Sequence, residues 1–120
     1  MILLDSNILI YSAEEKYKHL RNLFKRSDTI ISIISRLEVL GYHRMTAKQL
    51  IYFETIFKVT DVVQITETLI DQAIYYRQKK SMSVADSIIA ATATLYQCDL
   101  YTNNGADFKN IKDFKIVNPL

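Results

Sequence analysis

Met1-Ile2-Leu3-Leu4-Asp5-Ser6-Asn7-Ile8-Leu9-Ile10 changes character at its fifth residue. The run before Asp5 is continuously apolar and too short for a helix, as expected of a buried strand. The run after it, Ser6 to Ile10, opens a helix-like stretch, so Asp5 stands at a strand-to-helix junction. Three more acids occupy comparable places. Glu38 lies three residues into a helix-like stretch that follows Thr29-Ile30-Ile31-Ser32-Ile33, and Asp86 starts Ser87-Ile88-Ile89-Ala90-Ala91-Thr92-Ala93. Asp107 closes Leu100-Tyr101-Thr102-Asn103-Asn104-Gly105-Ala106-Asp107-Phe108. In an open parallel α/β sheet the carboxyl ends of adjacent strands share one crevice, so acids far apart in sequence can meet there.

Working outward, short β-branched runs predict strands at Ile2–Leu4, Thr29–Ile33, Val62–Ile65, Leu100–Thr102 and Lys115–Val117. Between them Tyr17, Leu20, Leu23 and Phe24 recur at helical spacing, as do Leu50, Phe53, Ile56 and Phe57, then Leu69, Ile70, Ala73 and Ile74. Residues 84–97 read as an alanine-rich apolar helix buried against the sheet. Strands alternating with helices predict an α/β fold, a parallel sheet of four to five strands covered on both faces. With 120 residues and no linker, repeat or Pro/Gly-rich hinge, one domain spanning 1–120 is expected.

Bulk properties exclude several classes. No apolar stretch approaches the length of about 20 residues that crosses a bilayer, and the first apolar run lacks the flanks of a signal peptide. The lone Cys98 forms no internal disulfide and suits a reducing cytosol, so a cytoplasmic location is expected. One thiol and two scattered histidines, His19 and His43, do not make a structural zinc site. The net charge of +2 decides nothing about nucleic acid. The bunched cations Lys16, Lys18, Arg21, Lys25 and Arg26, and Arg77, Lys79 and Lys80, read as solvated helix faces unless an acidic metal site lies beside them.

Each acid has a purely structural explanation. Ser35-Arg36-Leu37-Glu38 and Ser83-Val84-Ala85-Asp86 match the capping box, Asp5 can be an N-cap, and Asp107 can close an Asx turn. The four together point elsewhere, because Asp5, Asp86 and Asp107 have no Lys or Arg beside them in sequence. Brought within about 4 Å, each like-charged pair costs about 4 kcal/mol at an effective dielectric of 20. Such a cluster tolerates ionisation only with a cation. Oxygen-only donors select Mg²⁺ or Mn²⁺, and Mg²⁺ held by few carboxylates completes its shell with water and phosphate oxygens, which points to phosphoryl chemistry.

These segments, in this order, also resemble the PIN-domain nucleases, and in particular the VapC-type toxins of bacterial toxin–antitoxin pairs. The likeness runs from Met1-Ile2-Leu3-Leu4-Asp5 to the closing Val117-Asn118-Pro119. It implies a three-layer α/β/α domain and a Mg²⁺-dependent endoribonuclease, with Mn²⁺ able to substitute, that cleaves RNA phosphodiesters with a metal-activated water. It implies a small cognate antitoxin covering the site, and a symmetric homodimer is the default for such a chain. Carried over position by position, Asp5, Glu38 and Asp86 become the core metal-binding acids. Asp107 becomes a weaker ligand or one acting indirectly, and Asn104 an orienting group for a metal-bound water. Ser6, Asn7 and Thr102 match polar positions that support the site through hydrogen bonds. Arg36 can meet substrate phosphate or neutralise the cluster. Two rivals remain open: a magnesium-dependent phosphoacceptor or phosphatase domain built on Asp5, and a non-catalytic interaction module whose acids merely cap helices. The first lacks a second carboxylate next to Asp5; the second predicts no response to metal.

Overall fold

The computed structural model describes residues 1–120. Five strands form one sheet: β1 (Ile2–Leu4), β2 (Thr29–Ser32), β3 (Asp61–Val63), β4 (Asp99–Tyr101) and β5 (Ile116–Val117). Their order is β3-β2-β1-β4-β5, and every pair is parallel. The α-helices are α1 (Ser6–Ser12), α2 (Ile33–Leu40), α3 (Ala47–Val59), α4 (Glu67–Lys79) and α5 (Val84–Leu95), with a 3₁₀ segment over Glu15–Lys25 and a shorter one over Gly105–Phe108.

Alternation along the central strands feeds two cores. Ile2, Leu4 and Ile31 face one layer, where they join Ile8, Leu9, Leu20, Val39, Phe53 and Ile56. Leu3, Ile30 and Leu100 face the other, against Tyr76, Ile89, Ala90, Ala93 and Phe108. The result is the expected three-layer α/β/α architecture. α5 runs almost wholly buried from Ser87 to Ala93. The hydroxyls of that buried run are satisfied within the helix, Ser87 Oγ by the Val84 carbonyl (2.6 Å) and Thr92 Oγ1 by the Ile88 carbonyl (2.7 Å). Ala73 and Ala91 share a small apolar cluster with Leu69 and Ile88, where α4 meets α5. No helix is long and apolar enough to cross a membrane.

Two local expectations are corrected. β2 ends at Ser32, not Ile33, and Ser32 caps α2 by accepting the Ile34 N–H at 3.2 Å. Ser35 is therefore inside the helix, and Glu38 belongs to its C-terminal half instead of its first turn. The Ser35–Glu38 capping box does not form. The segment around Tyr17, Leu20 and Leu23 is 3₁₀, not α, and is kinked at Tyr17 (φ −113°, ψ 25°). Its apolar residues recur every three positions, which is the 3₁₀ period.

The topology fixes where a site can lie. From β1 the chain moves outward through β2 and β3 on one side, then returns to place β4 and β5 on the other. The order reverses between β1 and β4. The crevice outside the carboxyl ends at such a reversal is the general ligand-binding position of open α/β sheets.

Candidate metal centre

Asp5 occupies that reversal. Its backbone N–H donates to the Tyr101 carbonyl (3.0 Å), which ties the end of β1 to β4. Its side chain caps α1, with Oδ1 accepting the Ser6 N–H at 2.8 Å. A simple cap would leave the other oxygen in water. Here Oδ2 accepts from Thr102 Oγ1 (2.8 Å) and Asn7 Nδ2 (3.3 Å), and the residue is only 7% exposed. Burial raises the Asp5 pKa above its ordinary carboxylate value, the Thr102 and Ser6 hydrogen bonds pull it down, and the charges of Asp86 and Glu38 push it up again.

Thr102 is the keystone of this floor. It is fully buried just beyond β4, and its hydroxyl spends its one proton on Asp5. Its oxygen accepts the Asn104 N–H (3.0 Å) and Asn7 Nδ2 (3.3 Å). Asn7 Oδ1 in turn accepts the Asn103 N–H at 3.1 Å. Asn7 and Thr102, 95 residues apart, thus lock the start of α1 to the loop after β4.

Glu38 reaches the same crevice from α2. Ser6 Oγ lies 2.7 Å from Glu38 Oε1 and 2.9 Å from Ser35 Oγ. A hydroxyl has one proton, and the carboxylate is the stronger acceptor, so Ser6 donates to Glu38 while the Ser35 hydroxyl completes the chain. Ser35 is thus a supporting residue that the sequence presented only as a cap. Asp86 stands in the first turn of α5, whose N-cap Ser83 accepts the Asp86 N–H at 3.0 Å. The reciprocal bond to the Ser83 backbone that would complete a capping box is absent, and the half-buried carboxylate lies at the crevice with the Ser83 hydroxyl beside it. Burial raises the Asp86 pKa, the Ser83 hydroxyl lowers it, Asp107 and Glu38 raise it, and Lys80 lowers it.

Asp107 lies on the 3₁₀ turn Gly105–Phe108, exposed, with its N–H donating to the Asn104 carbonyl (3.0 Å). The Asx turn does not form, and its carboxylate accepts no hydrogen bond. Asn104 is exposed at the start of that turn. Arg36 is not with the acids. It sits two residues before Glu38 on α2, where the helical repeat turns it to the opposite side, and it lines a separate groove with Glu54, Lys58 and Val62. In sequence Lys80 belongs to a basic run expected to be a solvated helix face. It instead donates from Nζ to the Asp107 carbonyl at 2.8 Å, beside Asp86.

The four acids therefore form one electrostatic group, and none of the three ion pairs in the structure includes any of them. A nearly buried carboxylate without an ion-pair partner, with other carboxylates as the candidate ligands around it, fits a hard divalent cation. No three acids stand close enough to share one ion directly. Mg²⁺ does not require that, since it binds one or two carboxylates and keeps several waters.

The PIN domain family model matches residues 2–113. No curated protein sequence matches the chain. Among solved structures, a toxin–antitoxin complex from Klebsiella pneumoniae superimposes with a TM-score of 0.80 at 24% identity, covering 100% of this chain and 98% of the other. DNA-bound VapBC from Salmonella typhimurium gives 0.82 at 23% identity, covering 98% of each chain. FitAcB from Neisseria gonorrhoeae gives 0.77 at 22% identity, covering 99% and 98%. At these identities the likeness is one of fold.

Proposed function

Because the chain belongs to the PIN domain family, whose members are nucleases, we propose that it is a Mg²⁺-dependent endoribonuclease and the toxin of a toxin–antitoxin pair. One observation carries the reading: Asp5 is a nearly buried carboxylate held by three donors at the β1–β4 reversal, with two more acids acting on it and no cation paired to it. Asp5, Glu38 and Asp86 would hold the metal, one or two of them directly and the rest through metal-bound water, with Asp107 at the rim. Bound there, Mg²⁺ would supply the charge that activates a water and neutralises phosphate oxygens.

The chain's own groups do the rest. Ser6, Asn7 and Thr102 keep Asp5 and Glu38 aimed at the crevice. The serines among the acids, Ser6 and Ser35, are buried and hydrogen-bonded to Glu38 and to each other, so neither is placed as a nucleophile and hydrolysis proceeds without a covalent intermediate. Asp5 is a poor phosphoacceptor, since Oδ2 already accepts two hydrogen bonds and the lone pair left on Oδ1 beside the Ser6 N–H would serve the metal.

The antitoxin would occupy a groove of ≈900 Å³ that opens beside Glu38. Its apolar lining includes Ile10, Val39, Tyr42, Met45 and Phe53. An inhibitor seated there would carry Arg or Lys into the acidic crevice, as charge complementarity favours. A symmetric homodimer would double these contacts.

The test is cleavage of a single-stranded RNA by the purified chain with and without Mg²⁺, beside growth of cells expressing it. Cleavage should need the metal, Asp5→Ala should lose both cleavage and growth arrest, and a small partner encoded alongside should restore growth. Metal-independent cleavage, or an Asp5→Ala chain as toxic as the parent, would refute the reading.

A further inference from the structure

The Gly105–Phe108 turn and the stretch to Asp113 carry the rim acid Asp107 but contain no further helix or strand. Two side chains on α4 hold this stretch at its two ends. Lys80, the residue capping α4, donates from Nζ to the Asp107 carbonyl (2.8 Å). Tyr76, one helical turn earlier and 4% exposed, donates from its hydroxyl to Asp113 Oδ2 (2.6 Å) and meets Thr94 Oγ1 of α5. The pair is itself joined, since the Lys80 N–H donates to the Tyr76 carbonyl at 3.0 Å. Between the two anchors Phe108 is fully buried in the core that also contains Tyr76.

We propose that the C-terminal turn of α4 is a clamp, with Tyr76 and Lys80 as positioning residues that set the Asp107 carboxylate against the acidic crevice. The geometry suits this role better than direct participation. Lys80 bonds the backbone of Asp107, not its carboxylate, so it fixes the turn without neutralising the acid it presents. Tyr76 acts six residues further along, through a neutral hydroxyl. The pair therefore controls position through two contacts of different charge, which makes the role separable from simple electrostatics. This inference rests on the reading of the acids as a divalent-cation site.

The test is Mn²⁺ binding by the full chain, followed by calorimetry in the absence of RNA. Lys80→Met removes a positive charge near the acids, so a purely electrostatic role tightens Mn²⁺ binding. A clamp weakens it, by about 10-fold, the lower end of the usual effect of removing a group that orients a ligand. Tyr76→Phe changes no charge and should weaken binding in the same direction, while Lys80→Arg keeps donor and charge and should restore it. In an Asp107→Asn background neither substitution should weaken binding further, because the coupling runs through Asp107. Tighter binding by Lys80→Met in both backgrounds, with no change from Tyr76→Phe, would overturn the clamp. Asp86→Asn separates this failure from that of the underlying reading: if it leaves Mn²⁺ binding intact, the acids are not the metal site at all.

Discussion

Replacing Asp86 by Asn should reverse which of the two proteins is the more stable between metal-free and Mg²⁺-loaded conditions. Asp86 is half-buried, feels Asp107 and Glu38 as like charges, and has Lys80 as its compensating cation. A like charge at about 8 Å costs about 2 kcal/mol at an effective dielectric of 20, and solvent screening at a half-exposed site reduces this to about 1 kcal/mol. Asn removes two such repulsions and the burial penalty, and loses one attraction. The net gain for the metal-free fold is about 1 kcal/mol, or about 4 °C in Tm for a chain of this size. The Ser83 cap survives, because it accepts the backbone N–H of residue 86 and not its side chain. Mg²⁺ at 100 times its Kd adds about 2.7 kcal/mol to the parent and little to a variant that has lost a ligand. Thermal melting at pH 7 should therefore show the variant more stable without Mg²⁺ and less stable with it. Equal Mg²⁺ shifts in both proteins, or a metal-free variant that melts several degrees below the parent, would refute the argument.

Three further outcomes follow from the same geometry. Asp5 and Asp86 have raised pKa values, so between the ordinary value near 3.8 and those raised values the native state holds the extra protons. Metal-free stability should therefore fall as pH rises through that window and stay low above it, and Mg²⁺ should remove the fall; a Tm profile across pH 4–7 with and without Mg²⁺ checks both. Thr102→Val deletes the hydroxyl bound to Asp5 Oδ2 and should cost about 2 kcal/mol, with metal affinity reduced about 10-fold or more, measured by urea unfolding and calorimetry. Phe108→Ala empties a fully buried site and should cost about 3–5 kcal/mol in the same unfolding experiment, enough to leave the fold marginal.

The central strands are readable from sequence because they are buried on both faces, so Ile2–Leu4 appears as an unbroken apolar run and Ile30-Ile31 as the β-branched centre of Thr29–Ser32. Helix starts were harder. Ser32 and Ser35 are three apart and both can cap, and β-branched Ile33 and Ile34 favour the later choice, yet the helix begins at Ile33. That shift matters for function. An acid in the first turn of a helix is explained by capping and the dipole, whereas Glu38 in the last turns has neither explanation and is held by Ser6 from another helix. The 3₁₀ period of Tyr17, Leu20 and Leu23 was visible but indistinct from an α pattern over so short a span. Contacts such as Asn7 to Thr102 and Lys80 to Asp107 join residues 95 and 27 positions apart, and no local pattern encodes them.

The arrangement of the four acids follows from how the fold supports each. Asp5 is fixed by three donors at the meeting of two central strands, and its surroundings cannot move without disturbing the core. Glu38 hangs on one serine, Asp86 on a helix start capped by Ser83, and Asp107 on an exposed turn held through its backbone, through Phe108 and through the Tyr76–Asp113 contact beyond it. The centre is therefore rigid at its floor and progressively looser toward its rim. Repulsion among ionised acids is relieved cheaply at the rim, where solvent screens charge and side chains can turn away, and cannot be relieved at Asp5. On the proposed reading a cation would find one preset ligand and gather the others. The division explains how a small sheet can carry four acids at one end and still fold without a cation among them.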